Sequence, residues 1–157
     1  MNLQLTSTAF GEGQPIPATY TGDGRDVSPP LQWGNPPQNT QSIALICEDP
    51  DAPRGTYTHW VLFNIPAESR ALTESIPPEP TLRDGTVQGK NDFGKIGYGG
   101  PAPPPGKPHR YVFKLFALDS RLDLKAGATK LQLEKAMEGG HILADGALMG
   151  TYGRDKR

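Results

Sequence analysis

Two separated segments hold the residue types in this chain that could do chemistry. Residues 49–53 read Asp-Pro-Asp-Ala-Pro, and the next histidine along the chain is His59. A second segment, residues 97–111, joins a glycine- and proline-rich stretch to His109. Each segment leads from a loop that restricts the backbone to a histidine at the start of an apolar run. We expect the two segments to form the two halves of one small polar pocket.

Both histidines precede period-two apolar patterns, which predict strands. Side chains at i and i+2 share one face of a strand, so each histidine should begin a row that continues into a core. A polar residue at the end of such a row lies at the rim of the core, where a pocket can open. The predicted rows are His59-Val61-Phe63-Ile65 and His109-Tyr111-Phe113-Leu115-Ala117.

The loops favour a small oxyanion as the ligand. Pro50 and Pro53 fix their own φ angles and hold the aspartates at 49 and 51 on a rigid bend. Glycines at 97, 99 and 100 let a ligand approach backbone N–H groups, and consecutive N–H groups can form an anion-binding concavity. Carboxylate, imidazole and glycine backbone together suit a phosphate-type anion.

Other interpretations of the same residues remain open. Asp-Pro-Asp is often only a turn, a strand histidine is often a hydrogen-bonded rim residue, and Gly/Pro runs are usually surface loops. Asp49, His59 and His109 resemble a carboxylate-plus-two-histidine metal set, but they lack tight ligand spacing. We therefore predict no metal and no cofactor. A hydrolase that uses Asp49 and His59 as a base pair on bound water is the alternative function.

These motifs resemble the phosphatidylethanolamine-binding protein (PEBP) family. Residues 28–33 (Ser-Pro-Pro-Leu-Gln-Trp) and 92–98 (Asp-Phe-Gly-Lys-Ile-Gly-Tyr) also resemble its short bacterial and archaeal, Raf-kinase-inhibitor-like or YbhB/YbcL-like, branch. The resemblance covers nearly the whole chain. It implies an anion pocket shaped by Asp51 and Pro53 and lined by Asp49, His59, Gly97, Gly100, Pro101, His109 and Tyr111.

The resemblance also implies a fold and a class of function. The expected fold is all-β with one or two short helices, an antiparallel Greek-key β-sandwich that forms a single domain over residues 1–157. The expected protein is a homodimeric binding or regulatory module, more plausibly not an enzyme, whose ligand is a small phosphorylated molecule or a phosphorylated partner protein. Longer eukaryotic members carry a C-terminal helix beside the pocket, whereas residues 143–152 here read as a strand, so their phospholipid binding and kinase inhibition are not carried over.

Composition limits the partners. The 157 residues carry a formal net charge of −1, so no broad basic field attracts nucleic acid or anionic membrane. The single cysteine, Cys47, lies in an apolar run and cannot form an internal disulfide. The N-terminus has neither a basic segment nor a long apolar run, which predicts no signal peptide, no membrane insertion and a cytoplasmic location.

Turn residues divide the chain into short elements. Thr129 and Gln132 fit a capping box for one helix, which we expect at a sheet edge. His141, the third histidine, is expected at a rim. The tripeptide Asp-Phe-Gly at 92–94 matches a kinase motif without its companions, so we treat it as chance. The predicted strands are Leu3–Ser7, Leu31–Trp33, Ser42–Glu48, Thr58–Ile65, His109–Ala117 and Ile142–Thr151.

Overall fold

The turn-rich pattern produces mostly antiparallel β-structure with one short α-helix. The computed structural model describes residues 2–139 and 141–154. A three-residue 3-10 helix at Ala18–Tyr20 precedes the first strand. The elements that follow are β1 (Leu31–Gln32), β2 (Ser42–Asp49), β3 (Tyr57–Pro66), β4 (Ala71–Leu72), β5 (Val87–Gln88), β6 (His109–Leu118), α1 (Lys130–Met137) and β7 (Ile142–Tyr152).

The strand order shows the predicted Greek key. Five strands form one sheet in the order β5-β3-β2-β6-β7, and β1 pairs with β4 in a second, small sheet. All of these pairings are antiparallel. After β5 the chain returns by a long connection, so that β6 pairs with β2 and not with β5. A fourth strand that returns beside the first is the defining feature of a Greek key.

Apolar residues cover both faces of the large sheet. All eight residues of β2 and the eight central residues of β3 are buried. One face of the sheet packs against the β1–β4 pair and the N-terminal segment. We call the core between them the large core. Its members include Leu3, Leu31, Trp33, Leu45, Cys47, Trp60, Leu62, Leu72, Tyr111, Phe113 and Leu115. On the other face lies the helix core, formed by Ala44, Ile46, Val61, Phe63, Leu118, Leu122, Ala128, Leu133 and Met137.

Two sequence predictions about these elements are wrong. Leu3–Ser7 is not a strand: Gln4 has φ 56°, which breaks the extended backbone, and only isolated bridges join Asn2 to Asp145 and Thr6 to Gln32. The helix has the predicted capping box. It packs on the face of the sheet and not on its edge, because Leu133 and Met137 belong to the helix core. No helix within the described ranges is long and apolar enough to cross a membrane.

Candidate functional site

A β-bulge places His59. In the pairing of β2 with β3, Cys47 lies opposite Trp60 and Glu48 lies opposite Thr58, so His59 is an extra residue without a partner. A bulge bends its strand and redirects the side chain of the extra residue. Here it turns the His59 ring to the large-core face, where the ring meets Tyr111 edge-on at 5.3 Å between centroids.

The bulge corrects the predicted row that began at His59. Val61 and Phe63 face the helix core, on the opposite side of the sheet from the His59 ring. A second irregularity, between Ile43 and Leu45 of β2, returns Ile65 to the large core. The four residues therefore do not share one face, although period two predicts that they should. The row that begins at His109 is confirmed, since its apolar members all belong to the large core.

Asp49 and His109 form a hydrogen-bonded pair at the end of β2 and the start of β6. Nδ1 of His109 donates to a carboxylate oxygen of Asp49 at 2.7 Å. The other carboxylate oxygen accepts the N–H of Asp51 at 2.8 Å. Asp49 is only 3% exposed, and these two hydrogen bonds compensate the carboxylate for the water that it loses on burial. The partner of Asp49 is thus His109, not His59 as the hydrolase alternative assumed.

The hydrogen bonds fix which nitrogen each imidazole offers to a ligand. Nδ1 of His59 lies 2.6 Å from the carbonyl oxygen of Gly99, which can only accept, so Nδ1 carries a proton. Burial lowers the pKa of His59 below its ordinary value of 6.5, and the bond to Gly99 and the charge of Asp49 oppose that shift only in part. Nε2 of each ring has no hydrogen-bond partner among the residues that the structure describes.

These groups open into one cavity of about 200 Å³. Its polar groups are concentrated at Asp49 and the two histidines, and most of the other walls are apolar or aromatic. The His59 ring contacts the edges of the Tyr57 and Phe93 rings at centroid distances of 5.3 and 5.4 Å. The lining residues are Asp49, Ala52, Pro53, Tyr57, His59, Phe93, Ala102, Pro103, Pro104, His109 and Tyr111.

Comparison with known proteins identifies the family. A family model described as phosphatidylethanolamine-binding protein matches residues 6–153. The chain belongs to the PEBP family. A UPF0098 protein of Methanothermobacter thermautotrophicus is 51% identical over 152 residues, which cover 97% of this chain and 99% of the relative. The short bacterial and archaeal branch predicted from the motifs is supported by this relative and by the structures described next.

Two crystal structures resemble the PEBP fold of this chain. A PEBP homologue from Chlamydia trachomatis has a TM-score of 0.88 and 42% sequence identity, and the match covers 98% of this chain and 99% of that one. YbcL of E. coli, described as a member of the mammalian PEBP family, has a TM-score of 0.86 and 31% identity, with coverage of 98% and 99%. Both matches agree with the fold predicted from the sequence.

Gly100 and Pro101 of this PEBP chain pack beside the cavity without lining it. The N–H of Gly100 donates to the Asp26 carboxylate at 2.7 Å, so it does not point at a ligand. A Cβ at Gly100 would lie 2.5 Å from both that carboxylate and the carbonyl oxygen of Tyr20. Pro101 is buried, and its carbonyl oxygen accepts the N–H of Gly22. Glycine is required here by close packing of protein against protein.

Gly97 and Gly99 are also occupied by the protein itself. Gly97 has φ 105°, and its N–H donates to the carbonyl oxygen of Gly89 at 3.4 Å. A Cβ at Gly97 would lie 2.9 Å from Pro78. The N–H of Gly99 donates to the carbonyl oxygen of His59 at 3.0 Å. The loop therefore does not offer the predicted row of free N–H groups. Its Gly99 instead holds His59 in place through hydrogen bonds to the ring and the backbone.

Asp51 and Pro53 both lie on the loop between β2 and β3, as predicted. Pro53 lines the cavity. Asp51 points away from it and accepts three hydrogen bonds from Arg110, one from the backbone N–H and two from the guanidinium, at 2.8–2.9 Å. These bonds lower the pKa of Asp51 to about 2. The Asp51–Arg110 pair holds the loop against the start of β6, beside His109.

Sequence reasoning missed the apolar walls. Phe93 lines the cavity although the tripeptide that contains it was set aside as a chance match. Asp92 of that tripeptide accepts the N–H of Thr58 at 2.7 Å and so anchors Phe93 next to the His59 strand. The sequence signal that could have indicated this role is a large apolar residue, Phe93, next to a glycine in a turn. His141 lies elsewhere, paired with Asp119 at 2.9 Å.

The charged side chains do not assemble into a metal centre. Over residues 2–139 and 141–154, no group of three His, Cys, Asp or Glu side chains is placed to hold a metal ion. A larger surface depression, about 600 Å³, lies over β6 and β7 near Asn2, Lys114 and Asp145, away from the histidines. It is open and has no convergent set of catalytic groups, so the cavity at His59 and His109 is the better candidate site.

Proposed function

We propose that this PEBP chain is a binding or regulatory protein that takes a phosphate-type anion into the cavity between its two histidines. One observation carries the proposal: the Nδ1 atoms of His59 and His109 are held by protein acceptors, which leaves two Nε2 atoms for one ligand. Apolar walls around a few convergent polar groups are typical of ligand sites.

Binding would be coupled to proton uptake. Buried His59 favours the neutral state, in which Nε2 accepts hydrogen bonds and cannot donate them. Sulfate has no proton to donate at neutral pH, so it needs a protonated Nε2. A charge-assisted hydrogen bond contributes about 1.5–3 kcal/mol. Each imidazole should therefore account for roughly ten- to a hundredfold in affinity, since about 1.4 kcal/mol is a factor of ten.

The natural ligand in this proposal is a phosphorylated metabolite or a phosphorylated side chain of a partner protein. The glycine-rich loop supports the site by shape, because its N–H groups are already used. Asp49 orients His109 and also repels an anion, which keeps the affinity for a free anion modest. Such weak, orientation-dependent binding suits a recognition module.

Titration of sulfate into the parent and three histidine variants tests the proposal. At pH 5.5 we expect His59→Ala and His109→Ala to weaken binding by roughly ten- to a hundredfold each. His141→Ala is the matched control, because its histidine pairs with Asp119 outside the cavity. Chemical shifts of pocket residues report where sulfate binds. Equal affinity in all four proteins would remove both histidines from the site.

A hydrolase is the second candidate, favoured by the Asp49–His109 pair. A buried carboxylate that orients an imidazole with a free Nε2 is the arrangement of a general base. Among the described residues that line the cavity there is no serine or cysteine, so the nucleophile would be water. Turnover of 4-nitrophenyl phosphate that is lost in His109→Ala, with the fold retained, would favour this candidate over simple binding.

We also infer from family membership that the protein is a homodimer, and its cytoplasmic location stays a prediction from the sequence. Sedimentation at several protein concentrations tests the assembly, and a monomer at high micromolar concentration would contradict it. Fractionation of expressing cells tests the location.

A further inference from the structure

The cavity has more apolar wall than a free oxyanion can use. Asp49, His59 and His109 supply the charged and imidazole groups at one end. The rest of the wall consists largely of apolar and aromatic side chains, among them Pro53 and Phe93, and the Phe93 ring begins beside the His59 ring. Burial of apolar ligand surface gains roughly 25 cal/mol per Å², whereas a hydrated anion gains nothing from such a wall. The shape therefore fits an anionic group attached to an apolar body.

Phe93 stands where such a body would leave the anion site. Phe93 is 42% exposed. The ring is nevertheless held in place: it lies on Gly99, where a Cβ would come within 2.4 Å of it. Its edge contacts with His59 and Tyr57 fix the other side. An exposed but well-positioned aromatic ring is suited to packing against a ligand.

A second cavity continues beyond Phe93. It has a volume of about 280 Å³ and shares Phe93 and Ala102 with the first cavity. Its other walls are Gly22, Asp26, Pro78, Asn91, Lys95, Ile96, Tyr98, Gly99 and Gly100. On the opposite side, beyond His109, lies a more open depression of about 450 Å³ with the charged residues Asp51 and Lys107. Both neighbouring depressions carry one aspartate and one lysine, but only the second cavity adds Ile96 and Tyr98 to Phe93, so an apolar body would gain more from the Phe93 side.

We propose that Phe93 determines ligand specificity: the site takes a phosphate monoester whose apolar or aromatic body packs on Phe93 and extends toward the second cavity. This inference rests on the proposed function, because the phosphoryl group would occupy the site at His59 and His109. Phe93 selects by contact with the body and does not touch the phosphoryl group. A free inorganic anion fills only the polar end.

Methyl phosphate and phenyl phosphate are the matched probes, since both are monoesters and differ only in the body. Their dissociation constants are measured by calorimetry in the parent, Phe93→Ala, Phe93→Leu and Lys107→Ala. We expect the parent to bind phenyl phosphate about tenfold more tightly than methyl phosphate. Phe93→Ala should reduce this ratio to about twofold, with Phe93→Leu between them. Lys107→Ala should keep the parent ratio, because Lys107 lies on the opposite side.

NMR supplies a readout that does not depend on the variants. Methyl signals of Ala102 and Ile96 should shift with phenyl phosphate and much less with methyl phosphate. A ratio near one in the parent, an unchanged ratio in Phe93→Ala, or a ratio lost only in Lys107→Ala would each overturn the role of Phe93. If inorganic phosphate binds in a histidine-dependent way while the ratio is near one, the specificity inference alone fails. If no phosphate compound binds, both proposals fail.

Discussion

His59 and His109 look alike in the sequence, and the structure makes them different. Each lies at or near the start of a strand, each reaches the same cavity, and each donates through Nδ1. His59 sits in a bulge, is 3% exposed, and donates to a backbone carbonyl. His109 lies opposite Tyr152 in a regular ladder, has a side chain 12% exposed, and donates to a carboxylate.

The difference shows that a similar position on a strand does not give a histidine similar surroundings. A carbonyl dipole compensates little for the loss of water around an imidazolium, so burial dominates at His59 and lowers its pKa. At His109 a formal negative charge is in contact with the ring. We therefore expect the burial of His59 to contribute to the pH dependence of ligand binding, and Asp49 to fix the orientation of the His109 ring.

The largest expected effect is on the pH dependence of sulfate affinity. His59 must gain a proton to bind sulfate, so affinity should rise as pH falls toward the lowered pKa of His59 in the free folded protein and level off below it, by at most about tenfold per pH unit for one proton. His59→Gln should have a flatter profile than the parent between pH 7.5 and 5. Calorimetric titration at four pH values measures both slopes.

His141→Ala is the control for that profile and should keep the parent slope. If His59→Gln and the parent have equal slopes, the proton is taken up elsewhere and the contrast between the two histidines is broken. If His109→Gln alone flattens the profile, the assignment of the two roles must be exchanged.

The same contrast explains what could be predicted from the sequence. The row at His109 follows period two because the pairing of β6 with β2 is regular from Ser42 to Glu48. The row at His59 failed because one extra residue in β3 reverses the faces. Nothing in the residues near His59 marks the bulge; it arises from the pairing of two strands, which local pattern does not encode.

The prediction that the glycine loop offers free N–H groups to an anion failed for a different reason. Sequence reasoning recognised that glycine permits a close approach at positions 97 and 100, and this is correct. The sequence does not show whether a ligand or the protein approaches these glycines. In the structure Pro78 packs against Gly97 and Asp26 packs against Gly100. The motifs did predict that Asp49, His59 and His109 lie together, because each of them is at or near a strand end that adjoins a conformationally restricted loop. Its aromatic wall depends on tertiary contacts of Phe93 and was missed.

The second prediction concerns the charge beside His109. Asn at position 49 can still accept the Nδ1–H bond of His109 through its amide oxygen, and it loses only the local bond from the Asp51 N–H, so we expect the fold to be retained. Loss of a negative charge next to the anion should strengthen sulfate binding at pH 5.5 by up to about tenfold, because like charges repel at short distance. Asp51→Asn is the matched control, since Asp51 carries the same charge outside the cavity. Binding in Asp49→Asn that is no stronger than in the parent would contradict this expectation.

The third prediction is that His59 makes stability pH-dependent. Because its folded pKa is lowered, the folded state binds fewer protons than the unfolded state below the ordinary value of 6.5. Stability should be fully present above pH 6.5 and be lost as pH falls toward the folded pKa. Each whole unit of lowering corresponds to about 1.4 kcal/mol. Urea denaturation at pH 7.5 and 5.0 should show a smaller loss in His59→Gln than in the parent, and parallel losses would remove His59 as the cause.

The smallest effect should come from the pair that holds the other loop. Asp51 has a folded pKa of about 2, lowered mainly by its hydrogen bonds from Arg110. Its contribution is therefore present above the unfolded value of 3.8 and is lost as pH falls toward 2. The two side chains are 30% and 56% exposed, and exposed ion pairs contribute little and are screened by salt. Asp51→Asn should lower the melting temperature by about 2 °C or less at low salt, and by less in 1 M NaCl. Sulfate affinity should change less than twofold, because Asp49 alone orients His109. A larger loss of affinity than in Asp49→Asn would mean that the loop, and not the carboxylate at position 49, positions that histidine.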